Sequence, residues 1–427
     1  MKLSLIAVGS RGDVQPYLAL GRRLVRAGHS VRVAALDPFA DDVRAAGLTF
    51  ASLGAFPERF RARRGSERGG SSASFSGVPG RALFWAVFPT LIAPVEERFI
   101  AACEGADAVL FTRLALPVPH IAESLKIPCI AAFPVPHTPT NAFENPLYVP
   151  RDGRAAGALR TRWSYSCESH LTHQLSYPVI ARLRRRLGLR ALLPHQIVAH
   201  RERQLAGTIY AYSERVVPRP CDWPERVQVT GYWFLDAVED WQPSRALEEF
   251  LAAGSKPVCV GFGSMKSTRP ERVARMLRGA LERIRERAVV LSGWGGMREL
   301  DPTGRRILVL PEAPHDWLYP RVGVAVHHGG AGTTAAALRA GVPSVIVPHA
   351  FDQRFWGRRV RELGCGPAAI EERDLSASRL GDAMRDALDD ERHRGAAARL
   401  GAALRAEDGV GCAVSLIEQW TSCVASA

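Results

Sequence analysis

Apolar and polar positions follow two rhythms along the chain. Leu3–Val8 is a short unbroken apolar run, the pattern of a strand covered on both faces. A polar turn follows, Gly9-Ser10-Arg11-Gly12-Asp13. From Val14 to Ala27 apolar residues then recur at helical spacing, with Val14, Leu18, Gly21 and Val25 on one stripe and Tyr17, Leu20, Leu24 and Ala27 beside it. Gly28 is placed to end that helix, and Val31–Leu36 reads as a second strand. Ala108–Phe111, Cys129–Phe133 and Thr208–Ala211 have the same strand-like character. The pattern restarts further on. Val258–Phe262, Ala288–Leu291, Ile307–Leu310, Val322–Val326 and Ser344–Val347 read as strands, with a helix predicted over Pro270–Arg287. Strands alternating with helices predict a parallel sheet covered by helices on both faces, and here the pattern occurs twice.

The interruptions divide the chain. Val216–Pro243 holds four prolines and several aromatics without periodicity and reads as a linker between an N-terminal domain, 1–215, and a C-terminal domain, 244–405. Arg59–Gly80 is rich in Arg, Ser and Gly and reads as a mobile loop. Tyr148–Leu193 is basic and aromatic and is expected to form helices along one side of the N-terminal half. With 427 residues, two domains fit the length, and 47% apolar residues fit a folded chain rather than a disordered one.

The longest uncharged apolar stretch, Ala82–Val95, is fourteen residues with two prolines, short of the roughly 20 that a membrane helix needs. The opening residues lack the apolar core of a secretion signal. Eight cysteines are scattered without a CxxC, as expected of free thiols in a reducing cytoplasm. Basic residues outnumber acidic ones by 56 to 43, and only Lys2, Lys126, Lys256 and Lys266 are lysines. That excess is open to two readings: an attraction to an anionic partner, or an arginine-rich genome. The local run Arg182–Arg190 lacks the interleaved aromatics of a single-strand binder, so no nucleic-acid partner is expected. A helix surface, an anionic acceptor or weak association with a membrane surface remain for it. Nothing decides between a monomer and a dimer.

The most informative segment is Val322–Pro348. A strand runs into His327-His328-Gly329-Gly330-Ala331-Gly332-Thr333-Thr334, and a helix of good formers follows. Small residues at a helix start leave its N–H groups open at the positive end of the helix dipole, an anion site suited to phosphate. His327 and the two threonine hydroxyls add donors. No GK[ST] follows, so this is not a Walker loop. There is no DxD and no ligand-spaced His/Cys/carboxylate cluster, so no metal and no cofactor are expected.

The run Pro314-His315-Asp316-Trp317-Leu318, then HHGGAGTT, then Phe351-Asp352-Gln353, resembles the donor-site signature of the family 1 glycosyltransferases of the GT-B fold. The likeness is greatest to the bacterial branch that glycosylates antibiotic aglycones and to the sterol glucosyltransferases. The opening GSRGDVQPYLALGRRLVRAGHSV is similar to the start of that branch. The resemblance implies an α/β GT-B architecture, two Rossmann-like domains across a cleft, and a C-terminal helix, 406–427, returning to the N-terminal domain. It implies a nucleotide diphosphate sugar on the C-terminal domain, with UDP-glucose favoured over a dTDP-sugar, and a lipophilic aglycone on the N-terminal one. In that reading His327 and the amides of Gly329, Gly330, Ala331, Gly332 and Thr333 hold the pyrophosphate. Ser264 donates to a phosphate, and Ser10 and Gly12 approach it from the first turn. Trp294, Ala313 and His315 border base and ribose, and Asp352 and Gln353 bind sugar hydroxyls.

Asp13 is the candidate general base, since transfer to a hydroxyl requires that proton to be removed. Its other possible role is to cap a helix beginning at Val14. His137 stands where related sequences tend to carry tryptophan. A second base, an acceptor contact and a purely structural histidine are its three possible roles. Two further function classes were weighed. A nicotinamide-dependent oxidoreductase lacks its GxGxxG here, and a non-catalytic partner on the same fold does not explain Asp13, His327 and Asp352-Gln353 together.

Overall fold

The computed structural model describes residues 1–55, 95–149, 157–235, 241–262, 270–292 and 306–425. The segments Arg59–Gly80 and, but for its last residue, Ala82–Val95 fall outside them. Seven strands form the first sheet: β1 (Lys2–Ala7), β2 (Ser30–Ala35), β3 (Thr49–Ser52), β4 (Ala108–Phe111), β5 (Cys129–Phe133), β6 (Leu205–Tyr210) and β7 (Val227–Val229). All are parallel, in the order β3-β2-β1-β4-β5-β6-β7. Five form the second: β8 (Val258–Gly261), β9 (Ala288–Leu291), β10 (Ile307–Leu310), β11 (Val324–His327) and β12 (Ser344–Ile346). These are also parallel, in the order β10-β9-β8-β11-β12. The inner strands β4, β8 and β9 are fully buried apolar runs because helices cover both faces, whereas the edge strands β3, β7 and β10 are only partly buried. In each sheet the connections diverge beside the first strand, between β1 and β4 and between β8 and β11. The crevice beyond the strand ends at such a point is where open α/β sheets bind ligands.

Two expectations need correction. The N-terminal sheet does not stop at residue 215: β7 lies inside the proline-rich stretch and extends the sheet to Val229. The prolines hid it, because a side chain supplies part of the order there. Arg219 donates to the carbonyls of Trp223, Pro224 and Val227 at 3.1, 2.8 and 2.9 Å, and Trp223 is buried. The first helix begins at Arg11 rather than Val14 and runs to Arg26.

The domains are joined by an apolar seam. Tyr210, Tyr212, Val216, Trp223 and Tyr232 from one side pack in a single cluster with Leu338, Phe355, Trp356, Val360 and Leu404 from the other. Arg359 donates twice to the Val216 carbonyl, at 2.8 and 2.6 Å, and Arg358 pairs with Glu144 at 2.8 Å. The last helix, Gly409–Ala425, returns to the N-terminal domain, where Ala413, Val414 and Ile417 enter its core. The Trp420 ring lies flush on Gly207, where any side chain would collide with it.

The basic run is largely neutralised within the fold. Arg184 is buried and grips Glu123 with two nitrogens, at 2.5 and 3.1 Å, while Arg182 pairs with Glu96 and Arg186 with Glu97. Breaking a buried pair from one side strands the other charge. Glu123→Gln is therefore expected to destabilise the fold by about 3 kcal/mol. Urea unfolding measures this, and an unchanged midpoint would show that Arg184 needs no counter-charge.

Candidate active site

The two strand-end crevices face each other and enclose a cleft of about 1450 Å³. Its N-terminal wall is built from the turn after β1. Ser10 is the N-cap of helix Arg11–Arg26, and Asp13 is that helix's third residue, not its cap. The Asp13 carboxylate reaches back: its Oδ2 accepts from the Ser10 amide at 2.7 Å and from the Ser10 hydroxyl at 3.1 Å. Both bonds run from Ser10 to Asp13, the carboxylate half of a capping box, and they lock the rotamer while Oδ1 has no partner among the described residues. Gly9 makes it possible. Its φ is +148°, and a side chain there would overlap the Asp13 carboxylate. Burial raises the Asp13 pKa above the ordinary aspartate value, against the two Ser10 hydrogen bonds, and so strengthens it as a base. Ser10, Gly12 and Asp13 all line the cleft.

The opposite wall is the start of helix Ala331–Ala340 after β11, with Gly330 as N-cap. His327, the expected phosphate ligand, and His328 are placed differently, and each keeps one buried ring nitrogen without a partner among the described residues. His327 ends β11, is fully buried and does not line the cleft; its Nδ1 accepts the Gly329 amide at 3.1 Å and shapes the turn. Gly329 does not line the cleft either, and that bond commits its amide. His328 is the histidine on the cleft wall, and its ring leaves Nδ1 buried without a partner. Gly330 gives the ring room: a Cβ there would stand 2.5 Å from its Nε2. Gly330, Ala331, Gly332 and Thr333 line the cleft, whereas Thr334 is fully buried and turned away from it. The amides at positions 331–333 lack helical acceptors by construction and remain available to an anion.

Burial holds the imidazoles neutral. His328 is pushed down to about 4, helped by His349 and His315. His327 lies well below the ordinary histidine range, helped by His328 and His315. His315 is also lowered to about 4, by burial and then Arg11, and it stacks on Tyr319 at 4.6 Å. Ala313 and His315 line the cleft beside Glu312, which approaches Arg11 of the other domain at 3.9 Å. Ser264 and Trp294 lie outside the described residues.

Asp352 and Gln353 sit on the same wall as His328. Phe351, just before them, has a φ of +54°, an unusual conformation for an aromatic residue and one that turns the corner into helix Gln353–Glu362. Asp352 Oδ2 accepts from the Trp356 indole at 2.6 Å. Its pKa is raised to about 6, chiefly by burial and further by Asp13. Gln353 is buried, and its Oε1 accepts the amides of His349 and Ala350 at 2.7 and 3.0 Å, so its carbonyl braces the loop.

His137 lines the N-terminal side of the cleft, but its ring nitrogens meet the Arg113 guanidinium at 2.5 and 3.0 Å. Burial and then Arg113 hold it neutral, well below its usual range. A lone pair engaged by a guanidinium is a poor proton acceptor. Arg113, which also pairs with Glu168, was missed in the sequence; it lies two residues past β4, at the edge of the first crevice. Among the described residues, one His/carboxylate trio has metal-like proximity: Asp386, Asp390 and His393. Sequence spacing had not revealed it. It does not line the cleft, and Asp390 is engaged by Arg392 at 2.7 Å.

Two facing parallel-sheet domains, with an open helix start on one and a half-buried carboxylate on the other, are the architecture of the GT-B class of transferases. Residues 3–144 match the Glycosyltransferase family 28 N-terminal domain, and residues 302–409 match the Erythromycin biosynthesis protein CIII-like C-terminal domain. Two sterol 3-beta-glucosyltransferases of Arabidopsis thaliana are each 35% identical over 97% of this chain, which spans 64% of one and 67% of the other. The crystal structure of the calicheamicin glycosyltransferase superposes with a TM-score of 0.70 at 18% identity, covering 99% of this chain and 98% of that one. The chain belongs to the GT-B-fold glycosyltransferases. No described helix is long and apolar enough to cross a membrane.

The raised Asp352 pKa has a stability cost with a defined sign. The folded state holds that proton more tightly than the unfolded chain. The group's contribution is therefore full below about pH 4 and is lost as pH rises through 6. Asp352→Asn keeps an oxygen for Trp356 and removes the buried charge. It is expected to stabilise the fold by on the order of 1–2 kcal/mol at pH 8 and by less at pH 5. Thermal melts at the two pH values measure this, and an equal gain at both would contradict it.

Proposed function

We propose that the protein is an inverting glycosyltransferase that moves a hexose from a nucleotide diphosphate sugar to a hydroxyl of a lipophilic aglycone. One observation carries the reading: Asp13 and the helix start at His328–Thr333 face each other across one cleft, each at its own sheet's switch point. The diphosphate lies at the start of helix Ala331–Ala340, where the free amides and the helix dipole offset its charge and His328 donates a hydrogen bond. Asp352 accepts hydroxyls of the sugar. The aglycone occupies the N-terminal side, where Phe39, Leu53, Phe99, Phe133 and Trp233 line the cleft. The family resemblance and the names of the sterol glucosyltransferase relatives favour a flat, sterol-like or polyketide acceptor, with glucose as the sugar and UDP as its carrier.

In the chemical step Asp13 takes the proton of the acceptor hydroxyl as its oxygen attacks the anomeric carbon. The C–O bond to the diphosphate breaks on the opposite face, and the leaving charge passes to the helix start. The amides and His328 neutralise the leaving group, so this reading needs no metal. Attack from the face opposite the diphosphate inverts the anomeric centre.

Asp13→Asn tests the base. Asparagine has nearly the same shape and can still accept the Ser10 amide, so fold and donor affinity are expected to survive. Turnover should fall roughly 10²–10⁴-fold, the weight of general-base catalysis. Near-normal turnover with an alcohol acceptor, or a product that keeps the donor's anomeric configuration, would overturn the assignment.

The two histidines separate in the same way. His328→Ala is expected to weaken nucleotide diphosphate binding by roughly 10- to 100-fold, the range for a hydrogen bond to a charged group. His327→Ala should instead lower the melting temperature through the lost bond to Gly329. Calorimetric titration with UDP and dTDP, alongside thermal melts, distinguishes them, and the reverse pattern would restore His327 as the phosphate ligand.

A further inference from the structure

Trp356 is the largest fully buried side chain among the described residues, and it does two things at once. Its indole Nε1 donates to Asp352 Oδ2 at 2.6 Å, one helical turn earlier in sequence. Its ring belongs to the seam between the domains, edge-on to Tyr212 of the N-terminal domain with centroids 6.2 Å apart, beside Val216 and Tyr232. Asp352 lines the cleft, yet its carboxylate is oriented from behind, by a group that cannot turn without opening the seam. An aromatic ring needed only for packing would not require a donor there, and phenylalanine would fill the site more simply. The indole satisfies one carboxylate oxygen and leaves the other for an incoming hydroxyl.

We propose that Trp356 is a positioning residue for the donor sugar: its indole N–H fixes the Asp352 carboxylate toward the cleft, so that sugar recognition depends on the packed interface between the two domains. The proposal rests on the reading of the cleft as a nucleotide-sugar site. It separates the sugar from the nucleotide, because the diphosphate is held by the helix start and His328, to which the Trp356 indole makes no described hydrogen bond, although its ring packs in one cluster with that helix.

The test compares UDP with UDP-glucose, and dTDP with dTDP-glucose, by calorimetric titration of Trp356→Phe and of a protein carrying 3-benzothienylalanine at position 356. The latter keeps the bicyclic shape and lacks the N–H, so it serves if the phenylalanine variant does not fold. The expected result is unchanged affinity for the nucleotide diphosphate and roughly 10- to 100-fold weaker binding of the sugar nucleotide, the weight of a hydrogen bond to a charged group. In an Asp352→Ala background the same replacement should change neither. A second readout follows from charge. Losing the N–H removes a bond to the ionised carboxylate and moves its pKa further above 6. The lost sugar affinity should then be partly regained between pH 6.5 and 8.5, a window set by that shift. Equal loss for nucleotide and sugar nucleotide would make Trp356 purely structural, and unchanged binding of both in a folded variant would also overturn the proposal. Failure of the wild-type protein to bind any of the four ligands would instead overturn the proposed function.

Discussion

The cleft depends on one constraint: two parallel sheets must be held with their strand ends facing each other. A parallel sheet covered by helices has no free face, so the domains cannot dock through their sheets. They dock through what lies beside them. The aromatic ladder Tyr210, Tyr212, Trp223 and Tyr232 meets the helix Gln353–Glu362 through Phe355, Trp356 and Val360. Arg359 closes the edge of this seam on the Val216 carbonyl, and the last helix crosses back to clasp the N-terminal core through Trp420 and Ile417. These contacts fix how the two walls of the cleft face each other. The same helix that supplies the seam begins at Asp352 and Gln353, so domain packing and site geometry share their residues.

The electrostatics of the cleft follow from burial rather than from a surplus of charge. The chain carries thirteen net positive charges, but the imidazoles facing the cleft are held neutral, and two of the carboxylates lining it, Asp13 and Asp352, are shifted toward protonation. Shifts of this kind cluster where chemistry is done, because a group that gains from a ligand is left unsatisfied without one. The buried ring nitrogens of His327 (Nε2) and His328 (Nδ1), without partners among the described residues, and the open amides at 331–333 are such groups on the C-terminal side. Oδ1 of Asp13 is the matching group on the other. Elsewhere the arginine excess is absorbed locally. Arg182, Arg184 and Arg186 face Glu96, Glu123 and Glu97, which the sequence places some 60 to 90 residues away.

What the sequence made legible was local. The turn after β1 and the glycine-rich run after β11 each contain their own chemistry within about ten residues; the second is readable as an anion site from its composition, the first through the family resemblance. The different placement of His327 and His328 was not legible. Both histidines suit a phosphate, and the Gly329 amide folds back onto His327 only in three dimensions. β7 was missed for a related reason: its order comes from Arg219 and from pairing with β6, not from alternation in its own three residues. His137 was singled out, but the Arg113 that engages it is 24 residues away. Long-range partners decide the roles of groups whose types are already visible.

The capping box at Ser10 shows how stability and chemistry share one geometry. A capping carboxylate normally sits in solvent and keeps an ordinary pKa. Here the helix start is turned into the cleft, so the oxygen that braces the helix leaves the other in a half-buried site. The brace supplies orientation without consuming the second oxygen, and burial supplies basicity that a surface cap would lack. Gly9 removes the only side chain that would stand in the way. Asp352 repeats the arrangement in the other domain, with the Trp356 indole in place of the Ser10 amide. Each wall of the cleft thus offers a carboxylate held by one oxygen and open at the other, at the start of a helix anchored in the core. Two such groups facing across one cleft repel when both are ionised, as the influence of Asp13 on Asp352 records. That repulsion is tolerated because the seam, not the cleft, carries the association of the domains, and a ligand carrying hydroxyls relieves it.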